Sequence, residues 1–334
     1  MIDKTFTSAS ICIPTLNEED HLPFLLNSIK DQENLNSINL EIIISDSGSD
    51  DKTLEIAQLF LKDSNIRYKI LENTNTNKSQ NLNKAIEICQ GEILIVIDAH
   101  CNLEKDYIYK GINLLLKNQK EFCGIGGICK INPSPLRDNL ISRTISICYL
   151  SPFGAGPSSY KKTNLYSPKT KKVSHIYLGF FLTQEVKAVN GFNKSFNRKQ
   201  DIEFLERLKM NTKKNLLQHS HLKLIYYLKQ NTLLDISKRF FGQGRLIFID
   251  KDSFRLIHTI PLIAAFSVLA VLIFSPLIFL IFIFFYFSLS LIFILIESKN
   301  LYSIILAPFI FLIFHSSYLL GTISVLLSSS IHKK

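Results

Sequence analysis

Residues 93–100 read Ile93-Leu94-Ile95-Val96-Ile97-Asp98-Ala99-His100. The aliphatic run predicts a strand over Ile93 to Asp98. It ends on a carboxylate, and one small residue later comes an imidazole, so two metal-capable side chains fall on the same side of the turn. The same residues admit a plainer reading, in which Asp98 caps the next helix beside a surface histidine. Three earlier runs, Ser10 to Pro14, Glu41 to Ser45 and Arg67 to Leu71, also read as strands rich in Ile or Leu. Between them Leu22, Leu25, Leu26 and Ile29 recur at the spacing of one helix face, and Leu82, Ala85, Ile86 and Cys89 repeat it. This alternation predicts an α/β domain with a mostly parallel sheet and helices on both sides. Such sheets bind ligands outside the carboxyl ends of their strands. Asn17 and Glu18, Asp46 and Asp98 follow the first, second and fourth strands, and should gather on one edge. Carboxylates crowded there repel unless something cationic is bound, and a metal with a diphosphate is a natural occupant.

After Lys120 the pattern is less regular. Glycines 124, 126, 127, 154 and 156, with prolines 133, 135, 152 and 157, indicate turns rather than long elements. Tyr160 to Lys172 holds five lysines (161, 162, 169, 171 and 172) and reads as a surface loop; helical text resumes near Gln200. Neither GxGxxG nor GxxxxGK[ST] follows a strand, and there is no GxSxG elbow, which speaks against a Rossmann dehydrogenase, a P-loop enzyme or an α/β-hydrolase. The six cysteines form no CxxC pair, so buried thiols are expected rather than a zinc site or a disulfide framework.

From Ile260 to Ile296 there is no Asp, Glu, Lys, Arg or His. A helix of that length would span roughly 55 Å, against a hydrocarbon core about 30 Å thick. A break is expected at Ser275-Pro276. A second apolar run, Leu301 to Ile331, is interrupted only by His315, so two or three transmembrane helices are expected. The N-terminus has no apolar stretch long enough for a signal peptide, which leaves the polar body in the cytosol. The formal charge is +10; the tail from Leu256 onward carries three lysines against Glu297, leaving +8 on the body. That excess suits anionic lipid heads or anionic substrates, and Lys238, Arg239, Arg245, Lys251 and Arg255 flank the first span on its cytosolic side. No nucleic-acid motif or aromatic-interleaved basic patch is present.

Three segments in order, Ile13-Pro14-Thr15-Leu16-Asn17-Glu18-Glu19, Ser45-Asp46-Ser47-Gly48-Ser49-Asp50-Asp51 and Asp98-Ala99-His100, resemble a family 2 glycosyltransferase of the GT-A fold. With His100 in place of a second aspartate, the chain is most similar to the succinoglycan-type polysaccharide glycosyltransferases. Phe153-Gly154-Ala155-Gly156, Gly191-Phe192, Gln200-Asp201-Ile202-Glu203 and Phe240 to Arg245 extend the match. The resemblance implies that Pro14, Thr15, Asn17 and Glu18 contact the nucleotide and that Asp46 reads uracil or ribose. It implies that Asp98 meets ribose or a metal, that His100 binds the metal, Mn²⁺ or Mg²⁺, and that Arg245 neutralises the leaving diphosphate or anchors on lipid. Asn81 and Asn83 fall where the family places nucleotide contacts, or are helix-surface polarity. Asp201 is the implied catalytic base, with Glu203 in reserve, unless it merely caps the helix from Ile202 to Leu208.

The expected organisation is a cytosolic GT-A domain over 1–255, with a nucleotide-sugar part (1–120) and an acceptor part (121–255), then a membrane domain over 256–331. The expected activity is an inverting transfer from a nucleotide sugar, UDP-linked by default, to a lipid-linked saccharide at the bacterial inner membrane, in polysaccharide biosynthesis. Nucleic acid is not an expected partner. A nucleotidyltransferase would need a glycine-rich loop with Lys or Arg after the first strand, which Pro14-Thr15-Leu16-Asn17 does not supply. A non-catalytic membrane scaffold would be favoured by loss of Asp98 or Asp201, and both are present.

Overall fold

The computed structural model describes residues 7–74, 76–156, 170–177, 179–196, 199–249, 263 and 275–331. The four Ile- or Leu-rich runs are strands β1 (Thr7–Thr15), β2 (Ile38–Asp46), β3 (Arg67–Glu72) and β4 (Ile93–Val96). β1 pairs in parallel with β2 and with β4, and β3 adds in parallel outside β2. Strand periodicity sends Ile11 and Ile13 to one face and Cys12 to the other. The first face is covered by α1 (Leu22–Lys30), α2 (Thr53–Lys62) and α4 (Tyr107–Asn118), the second by α3 (Lys78–Ile88), α7 (Thr183–Ala188) and α8 (Gln200–Thr212). Leu22, Leu25, Leu26 and Ile29 of α1 are each at most 1% exposed. Burial of that extent contributes about 2 kcal/mol per side chain.

The parallel part stops at β4. Five further strands are β5 (Cys101–Leu103), β6 (Phe122–Pro133), β7 (Thr170–Val173), β8 (Gly179–Leu182) and β9 (Asn215–Leu228). β8 pairs antiparallel with β4 and β6, and β9 antiparallel with β5 and β7. Among the described residues the order is β3-β2-β1-β4-β8-β6-β9-β5, with β7 also on β9, so the α/β sheet is mixed. β6 corrects the expectation of turns after Lys120. Its glycines are selected by crowding: a Cβ on Gly124 would stand 2.7 Å from the Phe181 ring, and one on Gly126 2.5 Å from the Ile176 Cβ. The lysine-rich stretch is also partly strand, since Lys171 and Lys172 lie in β7 and Lys172 pairs with Glu121 at 2.6 Å. Lys161, Lys162 and Lys169 lie outside the described residues.

The chain divides into two units, Met1–Lys130 with Ser159–Tyr227, and Ile131–Ser158 with Leu228–Lys334. The second therefore begins well before residue 256. It contains α5 (Leu140–Leu150), α6 (Pro152–Ala155), α9 (Leu233–Ile249), α10 (Pro276–Glu297) and α11 (Leu301–Ile331). α10 starts on Pro276 with Ser275 as its N-cap, at the expected break. Leu277–Glu297 and Leu301–Leu327 are long and apolar enough to cross a membrane. The first expected span falls almost wholly outside the described residues, as do Lys251 and Arg255.

α9 and α11 cross at glycines. A Cβ on Gly244 would run into the Tyr318 carbonyl oxygen, and one on Gly321 into that of Phe241. Ser237 and Ser317 share a 2.8 Å hydrogen bond beside this crossing. His315, the one interruption of its apolar run, is built into the packing: Nε2 lies 2.8 Å from the Phe153 carbonyl oxygen and Nδ1 3.0 Å from the Tyr286 hydroxyl. Phe153 of the Phe-Gly-Ala-Gly motif stacks on Phe293, with ring centroids 5.4 Å apart.

Candidate active site

The register β1–β2 sets Thr15 beside Asp46, and the two following loops are tied together. Asp46 is fully buried, and its carboxylate accepts four hydrogen bonds. Oδ1 takes the hydroxyls of Thr15 (2.7 Å) and Ser49 (2.6 Å). Oδ2 takes the amides of Gly48 (2.9 Å) and Ser49 (2.7 Å). Gly48 has φ +91°, a conformation that side chains rarely adopt. Asn17, also left-handed at φ 50°, donates its amide to Ser49 Oγ at 2.9 Å and accepts from the Asp50 amide at 3.1 Å. Asp46 thus shapes this loop from inside, and its four ordinary acceptor positions are spent doing so.

Asp98 lies two residues beyond β4 and is 6% exposed. Lys78 Nζ, from the first turn of α3, donates to Oδ1 at 2.5 Å, and the Tyr177 hydroxyl donates to Oδ2 at 2.7 Å. Burial pushes the Asp98 carboxyl up, but Lys78, His100 and these hydrogen bonds outweigh it and hold the group below an ordinary aspartate. His100 Nδ1 meets Glu18 Oε1 at 3.0 Å, and its ring stands edge-on to Tyr226 at 4.7 Å. Glu18 itself is 5% exposed and turned inward. The expected crowding of carboxylates is therefore relieved internally: Asp46 by hydroxyls and amides, Glu18 by an imidazole, Asp98 by an ammonium and a phenol.

The donor set suits a divalent cation only in part. Among the described residues no group of three His, Cys, Asp or Glu side chains could hold a metal. Asp98 and His100 supply two donors, with His100 Nδ1 already engaged and Nε2 facing away from Glu18. Two protein ligands, completed by water and a diphosphate, are an ordinary arrangement for Mg²⁺ or Mn²⁺, so the residues fit a substrate-shared metal and not a closed protein cage.

α3 also organises the route to Asp201. Asn77 caps the helix reciprocally with Gln80, and its Nδ2 donates to the Lys194 carbonyl at 2.9 Å. Ser79 donates to the Phe196 carbonyl at 3.2 Å. Asn83 bonds both backbone groups of Phe192 at 2.7 Å, and Gly191, at φ 63°, leaves the room this needs. Asn81 is fully buried and reaches the Ser45 carbonyl at 3.1 Å. Both asparagines join segments of the chain, and Asn81 is buried, which corrects the reading of it as helix-surface polarity.

Asp201 is half-buried in the first turn of α8. The residue at the N-cap is Lys199, in the left-handed region, so Asp201 is not the cap. Glu203 is held by Arg207 through two bonds of 2.7 and 2.9 Å, and Arg207 also donates to the Val189 and Gly191 carbonyls. This fork makes Glu203 a structural partner of Arg207. Burial opposes the charge of Lys78, yet Asp98 and, more weakly, Asp201 together raise its pKa above that of an ordinary lysine. Asp98, Lys78 and Asp201 thus form one electrostatic group. Arg245 is exposed on α9, in the second unit. Lys78 and Tyr177 escaped the sequence reading, although the strand-edge rule that gathered Asp46 and Asp98 also covers Lys78, which opens the helix after β3.

A parallel β3-β2-β1-β4 core with acidic side chains at its carboxyl edge and an antiparallel extension defines a nucleotide-sugar transferase scaffold of GT-A type. The family model for glycosyl transferase family 2 matches residues 10–203, and the chain belongs to that family. It is a glycosyltransferase. It is 26% identical over 283 residues to the dolichyl N-acetyl-α-D-glucosaminyl phosphate 3-β-D-2,3-diacetamido-2,3-dideoxy-β-D-glucuronosyltransferase of Methanococcus voltae, covering 81% of this chain and 83% of that protein. It is 26% identical over 245 residues to the succinoglycan biosynthesis protein ExoA of Rhizobium meliloti, covering 73% and 70%. Among solved structures, the mannosyltransferase PcManGT from Pyrobaculum calidifontis, in complex with GDP-Man and Mn²⁺, shares the fold with a TM-score of 0.63 at 13% identity, over 97% of this chain and 88% of that one.

Proposed function

We propose that this glycosyltransferase moves a sugar, with inversion, from a nucleoside diphosphate sugar to a lipid-linked saccharide at the cytosolic face of a membrane. The observation that carries the proposal is the contact of Lys78 with Asp98 beside the His100–Glu18 pair at the carboxyl edge of the parallel strands, with Asp201, in the first turn of α8, adding to the negative charge that acts on Lys78. Pro14 and Thr15 end β1 and Asn17 lies in the loop that follows, and the three are assigned to the nucleotide side. Asp46 acts by fixing the second loop, and Glu18 by orienting His100. Asp98 and His100 Nε2 would hold Mn²⁺ or Mg²⁺, which supplies positive charge for the diphosphate when bound. Asp201 accepts the proton of the attacking acceptor hydroxyl. Arg245 is assigned to the leaving diphosphate on its place in Gln243-Gly244-Arg245 and its exposed side chain.

The acceptor reading draws support from two apolar helices and from a relative whose name specifies a dolichyl-phosphate-linked substrate. UDP-sugars are the default donors, with GDP-sugars the alternative suggested by the ligand of the mannosyltransferase. The test is transfer of label from a panel of UDP- and GDP-sugars by membranes containing the protein, given Mn²⁺ or Mg²⁺. Transfer is expected with at least one donor, and Asp201→Asn is expected to lower kcat on the order of a hundredfold or more while donor binding persists. No transfer or hydrolysis with any donor, in protein that is folded, removes the proposal; unchanged turnover in Asp201→Asn removes the assigned base.

A further inference from the structure

Lys78 is the feature the proposed reaction leaves unexplained. Its ammonium sits 2.5 Å from Asp98 Oδ1, on the carboxylate that the metal reading also needs. The side chain is 35% exposed, while that of Asp98 is only 8% exposed, so Asp98 is the more deeply buried partner of the pair. Asp98 Oδ2 is already taken by Tyr177. An incoming divalent ion that uses Asp98 therefore meets a positive charge at the oxygen it must occupy.

The mount of Lys78 is rigid, although its four-carbon stem is not. Asn77 and Ser79, its neighbours on either side, are tied to the Lys194 and Phe196 carbonyls, so the backbone of the first turn of α3 is fixed. Asp201 supplies the second negative charge that Lys78 feels. Displaced from Asp98, the ammonium remains on the first turn of α3 and needs a new anion. A nucleoside diphosphate brings one together with the metal.

We propose that Lys78 is a built-in counter-cation of Asp98 that competes with the divalent metal, so that the metal binds firmly only when a nucleoside diphosphate enters with it and takes over the ammonium. Lys78 is then a positioning residue that couples metal and donor. The inference rests on the reading of Asp98 as a metal ligand. Coupling of this kind is reciprocal: the diphosphate strengthens metal binding by the same factor as the metal strengthens diphosphate binding.

The experiment is a Mn²⁺ titration of the full-length protein in detergent, followed by the EPR signal of free Mn²⁺, with and without UDP. Lys78→Met is expected to bind Mn²⁺ alone about tenfold more tightly than the parent, the order of effect one nearby charge exerts at a solvent-facing site, and to lose most of the strengthening by UDP. Lys78→Arg, which keeps the charge, is expected to restore the parent's weak binding of Mn²⁺ alone, an outcome that a merely structural role does not produce. Asp98→Asn is expected to abolish Mn²⁺ binding. If Lys78→Met binds Mn²⁺ no more tightly while Asp98→Asn abolishes binding, the competition is overturned and the metal reading stands. If Asp98→Asn binds Mn²⁺ as the parent does, or if neither the parent nor Lys78→Met binds it, both fall.

Discussion

Asp46 illustrates how far a site residue of this fold can be committed to its own loops. Its four acceptor contacts join Thr15 of β1 to the Gly48-Ser49 turn, and Asn17 completes the link from the other loop. A carboxylate accepts at every position, whereas an amide must present two donors. Asp46→Asn therefore sets an N–H against either the Gly48 and Ser49 amides or the two hydroxyls. The expected cost is about 1–3 kcal/mol, the usual penalty for a buried donor left unpaired, read as a lower midpoint of thermal unfolding in detergent, with weakened UDP binding by calorimetry. Loss of UDP binding at unchanged stability would show instead that the carboxylate meets the nucleotide directly. Lys78 belongs to the same scale. Its residue type carries no signal of its own, and the pairing arises only because helix α3 sets it against Asp98, 20 residues further along the chain.

At the scale of elements, the crossing of α9 and α11 makes the sharpest claim. Gly244 and Gly321 each face a carbonyl oxygen of the opposite helix, which lets the backbones approach as closely as they do. Gly321→Leu is expected to destabilise the second unit by about 1–3 kcal/mol, the range for overpacking. Leu277→Ala, at a position 70% exposed on α10, should shift the detergent melting temperature far less. Equal shifts for the two substitutions would mean that the crossing is not closely packed in the folded protein. Legibility divides along the same line between local and distant causes. β1 to β4 and the apolar faces of α1 and α3 could be read because their periodicity lies within each segment. β6 could not, because its glycines answer to Phe181, Ile176 and Leu222, which are far away in sequence. Asn81 and Asn83 were placed on the right helix, but their partners, Ser45 and Phe192, come from segments that only the folded chain brings near. Asn17, Glu18, Asp46 and Asp98 are legible as a strand-edge group because the parallel βα rule fixes where strand ends go; that Asp46 spends its acceptors internally depends on a loop geometry that spacing does not encode.

At the scale of the whole molecule, the apolar helix α11 packs against α5 and α9 within the second unit. A boundary drawn at residue 255 by charge alone separates α9 from its partner. Yet Phe240 of α9 stacks on Phe314 at 4.2 Å, Thr144 of α5 bonds Ser303 at 3.1 Å, and Arg239 holds the Tyr149 hydroxyl at 2.7 Å within the same unit. Cutting the chain after Arg255 would uncover Phe240 and the polar Thr144, both buried now against α11. An exposed apolar patch of that kind drives association. A chain truncated after Arg255 is therefore expected to sediment with membranes or elute as aggregates in size-exclusion chromatography, even though most of the charged residues remain. Full-length protein should stay in the membrane pellet through alkaline carbonate extraction, because α10 offers lipid an apolar surface with Leu277, Phe284 and Phe285 each at least 64% exposed. A soluble, monodisperse truncated chain that still bound UDP as the full-length protein does would show that α5 and α9 close on themselves, and that α10 and α11 serve only to attach the enzyme to lipid.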